Sequence, residues 1–394
     1  MASFGFPRFA APLAPFHPVG DAVMNRCPVP RERASHRILI QRNAAHGDIL
    51  MATPVLSALR AAYPDAHITW LVEHKERTAI DAHPEIDELL LFDSVFWKRM
   101  IRRGLLPVWL ARALRFRGQL REKRYDIFIS FQPEEWQLIA RHCGAGVRIG
   151  IFDTFRQFEN DKPTSQNTRF YTDFFAHPDL PTHRTEQYLL ALKPLGIEPT
   201  TRRMTMGFTR EDDQAAREVL QGEVSGRSLV ILAPMTTWES RCWDGARYAE
   251  LGDRLYAEGA TIALIGSAKE AEPINAVAAR MQTKPLVVAG RLTFREMAAF
   301  IARASLLVSG DTGPMHVAAA VGTPFLSLFG PTPADGRKPL AGRGTVLLHP
   351  VPCGPCDQKV CPNVGETHML CMNLLTVDEV AAAARQLLAK AVAA

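Results

Sequence analysis

Gly310-Asp311-Thr312-Gly313-Pro314-Met315-His316 follows the apolar run Leu306-Leu307-Val308 and precedes Val317-Ala318-Ala319-Ala320. A strand that hands over to a helix leaves unpaired backbone N–H groups at the helix start, and the helix dipole adds positive potential there. Such a start binds phosphate. Pro314 fits the first turn, where its missing N–H costs nothing. Gly313 lets a phosphate approach the backbone, and His316 adds a side-chain donor. An ordinary turn capped by Asp311 or Thr312 would have the same composition.

Three other clusters carry chemistry. His46-Gly47-Asp48 through Thr53-Pro54 lies where a first strand meets a first helix, the end of an α/β sheet that takes ligands. Asp48 there is either a carboxylate at the mouth of a cleft or a helix cap. Thr236-Thr237-Trp238-Glu239-Ser240-Arg241-Cys242-Trp243 follows a later strand, and the planar fork of Arg241 matches phosphate oxygens. A surface loop arginine is the plainer reading. Cys353, Cys356, Cys361 and Cys371 have thiols for a zinc or iron–sulfur site, but only the first gap has metal spacing. Cysteines of a proline-rich loop are the alternative. No Gly-x-Gly-x-x-Gly follows the first strand and no Walker loop exists, which disfavours dinucleotide oxidoreductases and P-loop kinases. Glu73 ends the second strand, where a ribose-binding acid would sit, though that glycine fingerprint is missing.

The elements that position these clusters alternate. Ile38–Ile40, His67–Val72, Leu89–Phe92 and Asp126–Ser130 read as strands, with a helix over Ile49–Ala62. The same grammar restarts at Ser228–Leu232 and continues through Thr261–Ile265, Leu286–Val288, Leu306–Val308 and Phe325–Phe329. Asp244 to Glu258 reads as a helix stopped by Gly259. Alternating strands and helices imply parallel sheets. The pattern therefore predicts two α/β halves with a boundary near residues 197–210. Thr376-Val377-Asp378-Glu379 opens a terminal helix with a capping box.

Bulk properties fit a globular enzyme. The 394 residues exceed most single cores, with 47% hydrophobic and 22% charged residues and a net charge of +5. No apolar stretch reaches the ~18 residues of a membrane span. Seven cysteines, an odd number, argue against a disulfide framework. Residues 1–35 are proline-rich and read as a disordered leader, since a secretory signal needs a basic start and an unbroken apolar run, and Ala10 to Phe16 is broken by prolines. From Phe96 to Arg124 there are ten basic residues and one acid, Glu122, interleaved with Trp97, Leu105, Leu106, Val108, Trp109 and Phe116. That composition suits either an anionic membrane surface or a solvated helical face. No nucleic-acid motif accompanies it.

Taken together, Gly47-Asp48 with Thr53-Pro54, Arg148-Ile149-Gly150, His183 to Ile197, Thr236 to Trp243, Leu264 to Ser267, Gly310 to Ala320 and the Cys353–Met372 loop resemble glycosyltransferase family 9, the lipopolysaccharide heptosyltransferases. The resemblance runs from about Arg37 to the end. It implies an α/β fold of two Rossmann-like domains facing across a cleft (GT-B type), with an acceptor domain over 36–200, a nucleotide-sugar domain over 201–375 and a C-terminal helix over 376–394. It implies inverting transfer of a sugar, most simply heptose from ADP-heptose, to a lipopolysaccharide core or related glycan, with no cofactor or metal. Asp48 matches the family's proposed general base, and Arg241 a basic position that is often lysine. Donor contacts are implied at Thr236, Thr237, Gly266, Ser267, Asp311, Thr312, Gly313, Pro314, Met315 and His316, and acceptor contacts at Gly47 and Thr53. The partners implied are a nucleotide-sugar donor and an anionic glycolipid acceptor, not nucleic acid. The location implied is the cytoplasm, with peripheral contact at the inner membrane surface. Two other classes remain open on the residues alone: a nucleotide-sugar enzyme such as an epimerase, and a non-catalytic lipid- or metal-binding protein.

Overall fold

The computed structural model describes residues 35–133, 137–152, 169–176, 182–220 and 227–392. The expected leader, residues 1–35, lies outside these apart from Ser35. Apolar runs become strands buried on both faces, as parallel sheets require. Ile38, Leu39 and Ile40 of β1 (Arg37–Gln41) are all fully buried. β2 (His67–Glu73), β3 (Glu88–Phe92), β4 (Ile127–Ser130), β5 (Val147–Ile151) and β6 (Asp173–Phe175) complete a first sheet, ordered β3-β2-β1-β4-β5-β6.

A second sheet repeats this order. β7 (Ser228–Ala233), β8 (Ala260–Leu264), β9 (Leu286–Val287), β10 (Leu306–Gly310), β11 (Phe325–Phe329) and β12 (Gly344–Leu348) pair as β12-β11-β10-β7-β8-β9. Every pairing in both sheets is parallel. In each sheet the strand order reverses beside the first strand. The crevice beyond the strand ends therefore opens between β1 and β4 in one sheet and between β7 and β10 in the other.

The helix read over Ile49–Ala62 is two helices, His46–Ala52 and Pro54–Ala62. Pro54 has no N–H to continue the ladder, which breaks it at Thr53. The segment 198–209 then joins the halves. Thr205 N–H donates to Thr53 Oγ1 at 2.9 Å, and His83 Nε2 lies 2.7 Å from Thr205 Oγ1. Gly207 runs against the Ala82 carbonyl too closely for any Cβ. One apolar cluster continues from Ile40 and Leu50 through Met204 and Met206 into Phe300, Met315 and Ala319. Helix Gly245–Ala257 is capped by Asp244, which accepts from Ala246 N and Arg247 N. Helix Val377–Val392 seats Val380, Ala381 and Ala384 in a second cluster with Trp243 and Leu326. Among the described residues no helix is long and apolar enough to cross a membrane.

Candidate active site

Asp48 is at the third position of helix His46–Ala52, directly beyond β1. It is not the N-cap residue: that is Ala45, whose N–H points at the Asp48 carboxylate at 3.4 Å. Two arginines flank the carboxylate. Arg42 Nη2 stands 2.9 Å from Oδ2 and Arg184 Nη1 stands 3.4 Å from Oδ1. Arg42 is buried at the end of β1, where it also donates to the Phe131 carbonyl just past β4. Burial alone would push the Asp48 carboxyl up. The Arg42 and Arg184 charges, with the Arg42 and Ala45 hydrogen bonds, outweigh it and hold the group at about 2.

The opposing wall comes from the two strands that flank the crevice of the second sheet. Arg241, beyond β7, donates to the Asp311 carbonyl at 3.3 Å and lies 3.4 Å from its carboxylate, with the guanidinium 3.6 Å from the Trp238 ring centroid. Arg337 stands 3.7 Å from the same carboxylate, and Thr332 Oγ1 donates to it at 2.8 Å. Asp311 is thus a buried anchor for two arginines and not a helix cap. The cap position of helix Gly313–Val321 is Thr312, whose side chain makes no capping bond, so the first N–H groups of that helix have no side-chain partner at the cap. Gly310 permits the approach: a Cβ there would lie 2.9 Å from the Arg241 carbonyl and 3.0 Å from Thr236 Cγ2.

The two walls meet. A Cβ on Gly47 would lie 2.8 Å from His316 Cδ2, so the starts of helices His46–Ala52 and Gly313–Val321 are nearly in contact. His316 is buried and its Nδ1 has no partner among the described residues. Burial lowers its pKa, against the opposing pull of Asp311 and Asp48. His46 stacks on Phe294 at 3.9 Å and bonds Glu76 at 2.9 Å. His183, at the cap of helix Arg184–Leu189, accepts from Thr185 N and donates from Nε2 to the Lys338 carbonyl at 2.6 Å.

The sequence-derived residues divide. Gly47, Asp48, Arg241, Asp311, Thr312, Gly313, Pro314 and His316 come together. Thr236 is half-buried beside Gly310, and Thr237 is exposed on the same loop. Gly266 and Ser267 lie beyond β8, where Ser267 N and Oγ both bond Glu270. Thr53 and Met315 do not reach the cleft. Thr53 is fully buried, and its hydroxyl donates to Leu50 O and accepts from Thr205 N. Met315 is fully buried core, because its position turns inward from the helix start. Glu73 is also diverted: its carboxylate accepts from Ser94 N at 3.1 and 3.2 Å.

The four cysteines of the C-terminal loop come together: Cys353, Cys356, Cys361 and Cys371 line one void of about 20 Å³. Cys361 accepts there from Met369 N and Cys353 from Asn363 Nδ2, both at 3.3 Å. Their loop braces the Arg241 turn, since Ser240 Oγ donates to Gln358 O at 2.6 Å.

Arg42, Arg184, Trp238, His183 and Arg337 carry no role in the sequence reading. Only Arg42 has a usable signal, a charged residue directly after a buried strand. The others depend on which loops meet.

Two sheets with facing crevices, one bearing a carboxylate and the other arginines and an open helix start, fit a sugar transferase of the two-Rossmann-domain type. Residues 113–365 match glycosyltransferase family 9 (heptosyltransferase), and the chain belongs to that family. It is 29% identical to lipopolysaccharide heptosyltransferase 3 of Escherichia coli over 294 residues, 73% of this chain and 81% of the relative. Among solved structures it is similar to a family 9 glycosyltransferase from Veillonella parvula, at TM-score 0.74 and 23% identity over 90% of this chain and 97% of that one. It is also similar to the E. coli ADP-heptose lipopolysaccharide heptosyltransferase II, at TM-score 0.68 and 22% identity over 90% and 99%. This membership favours neither the epimerase nor the non-catalytic reading.

Proposed function

We propose that this enzyme transfers heptose from ADP-heptose to a lipopolysaccharide core acceptor, inverting the anomeric carbon. The observation that carries the reading is the apposition of Asp48 and the helix start at Gly313–His316, with Gly47 against His316. The donor and acceptor classes follow from what the relatives are named for. The acceptor occupies residues 36–200, with Gly47 beside it, and the donor residues 201–375, behind which helix Val377–Val392 packs on the second sheet. The acceptor is an anionic glycolipid met at the cytoplasmic face of the inner membrane, and nucleic acid is no partner.

The donor diphosphate sits at the Thr312–His316 helix start, with Arg241 and Arg337 beside it. As the glycosidic bond breaks, negative charge grows on the diphosphate, where preorganised N–H groups and guanidiniums stabilise it most. Thr236, Thr237 and the backbone of Gly266 and Ser267 line the rest of the donor. The acceptor hydroxyl attacks from the Asp48 side and gives up its proton to that carboxylate. A carboxylate held at about 2 is a weak base. It suffices if the leaving bond breaks first, because the attacking hydroxyl becomes strongly acidic only as the new bond forms. His316 adds a side-chain donor at the same helix start. Thermal stabilisation measured across ADP-, UDP- and GDP-sugars tests the donor. ADP-heptose should raise the melting temperature by mass action, and a larger shift with another sugar nucleotide would replace it in this reading.

A further inference from the structure

We infer that the helical hairpin spanning residues 94–122 docks the enzyme on an anionic lipid bilayer, a reading that rests on the glycolipid acceptor proposed above. The hairpin leaves the first sheet at the end that bears Asp48. Helix Ser94–Arg102 starts directly after β3, with Asp93 Oδ1 accepting Phe96 N at 2.8 Å and the Glu73 carboxylate accepting Ser94 N. Gly104, at φ +68°, turns the chain into helix Leu106–Glu122. The hairpin is held from inside. Met100 and Leu120 are buried, Trp97 lies edge-on to Trp109 at 5.8 Å, and Phe92 stacks on Trp97 at 5.4 Å.

Its outer surface is left apolar and cationic. Seven of the fifteen exposed large hydrophobic side chains among the described residues lie on it, from Val95 to Leu114. Leu106 is 62% exposed, Val95 60%, Leu114 55% and Leu110 53%. Interspersed with them, Lys98, Arg99, Arg102, Arg103 and Arg115 are exposed. None of these five forms an ion pair with another described residue. Water alone does not favour such a surface, since exposed leucines gain nothing and unpaired arginines repel one another. A bilayer with anionic headgroups satisfies both: leucines enter the acyl boundary while arginines and lysines stay among phosphates. Neither helix is apolar enough to span, so contact is in the plane of the surface. Because the hairpin and helix His46–Ala52 leave the same end of one sheet, docking brings the Asp48 side of the cleft toward the lipid-borne acceptor.

Sedimentation of the full chain with phosphatidylcholine vesicles, with and without phosphatidylglycerol, tests this. The wild-type protein should pellet with the phosphatidylglycerol vesicles, less so as salt rises. Arg102→Gln/Arg103→Gln/Arg115→Gln should weaken binding by about fivefold per charge removed. Leu106→Ser/Leu110→Ser should weaken it too. Both variants should keep wild-type stabilisation by ADP-heptose and wild-type transfer to a water-soluble, delipidated core acceptor, which shows that they fold. Wild-type protein that stays in the supernatant, or pellets equally with neutral vesicles, overturns the proposal. So does an arginine variant that pellets like wild type, since the hairpin's charges would then not hold the lipid. Loss of transfer to the soluble acceptor in the wild type would instead refute the proposed activity and leave the docking intact.

Discussion

Asp48 combines two demands that pull against each other, since a base should be basic and its arginines make it less so. Asp48→Asn keeps the shape and removes the proton acceptor. Its turnover should fall on the order of 10²–10⁴-fold, with donor stabilisation on heating unchanged; near-wild-type turnover would refute the assignment. The same carboxylate has a pH signature. Its pKa is lowered from 3.8 to about 2, so the charged form favours the folded state. The contribution is complete above about pH 4 and is lost as pH falls through about 2, and amounts to at most ~2 kcal/mol. Acid unfolding followed by circular dichroism should therefore steepen in that window for wild type and not for Asp48→Asn. On the donor side, Arg241→Ala should lower kcat by about 10²–10³-fold, as loss of one preorganised donor to a developing anion does. Arg241→Lys, which keeps charge but not the fork, should fall between.

Glycines decide how closely the elements of the site approach. At Gly310 an added Cβ would press on the Arg241 carbonyl and on the Thr236 methyl, both in the turn after β7. Gly310→Ala should cost about 1–3 kcal/mol of stability by overpacking and weaken donor binding in the same protein. At Gly47 the obstacle is the His316 ring in the other half. Gly47→Ala should improve the helix locally yet lower kcat/KM, because the two helix starts must separate. Much of this level is legible in the sequence. The strand series, the helix start at Gly313-Pro314 and the positions of Asp48 and Arg241 just beyond strands follow from apolar runs, glycines and proline, all local signals. The helix expected over Ile49–Ala62 is divided instead, although Pro54 marks the break. Thr53 and Met315 read as ligand contacts because a motif names positions and not directions. Which side of a helix start faces the cleft is set by packing.

The two halves are joined by more than their connecting segment. Arg295 in the second half bonds Asp81 of the first at 2.8 Å and also pairs with Asp212. The apolar cluster running through Met204, Met206 and Phe300 ties both sheets together. An interface of that kind restrains the free rotation expected of linked domains. Arg295→Ala should cost no more than about 1 kcal/mol in stability, since the pair is partly exposed. It should nonetheless increase the radius of gyration in solution scattering and raise KM for the acceptor. An unchanged radius would mean that the apolar contact alone sets the closed arrangement. The amino-acid sequence by itself determined two α/β halves, their order along the chain and which loops carry charge, because periodicity and turn chemistry act over a few residues. The tertiary structure alone decided that Arg42 and Arg184 clamp Asp48, that Asp311 anchors two arginines, and that Gly47 meets His316. Arg184 reaches Asp48 from 136 positions away within the first half, Arg241 reaches Asp311 across 70 positions within the second, and Gly47 meets His316 across 269 positions between the two crevices, so only tertiary packing brings them together.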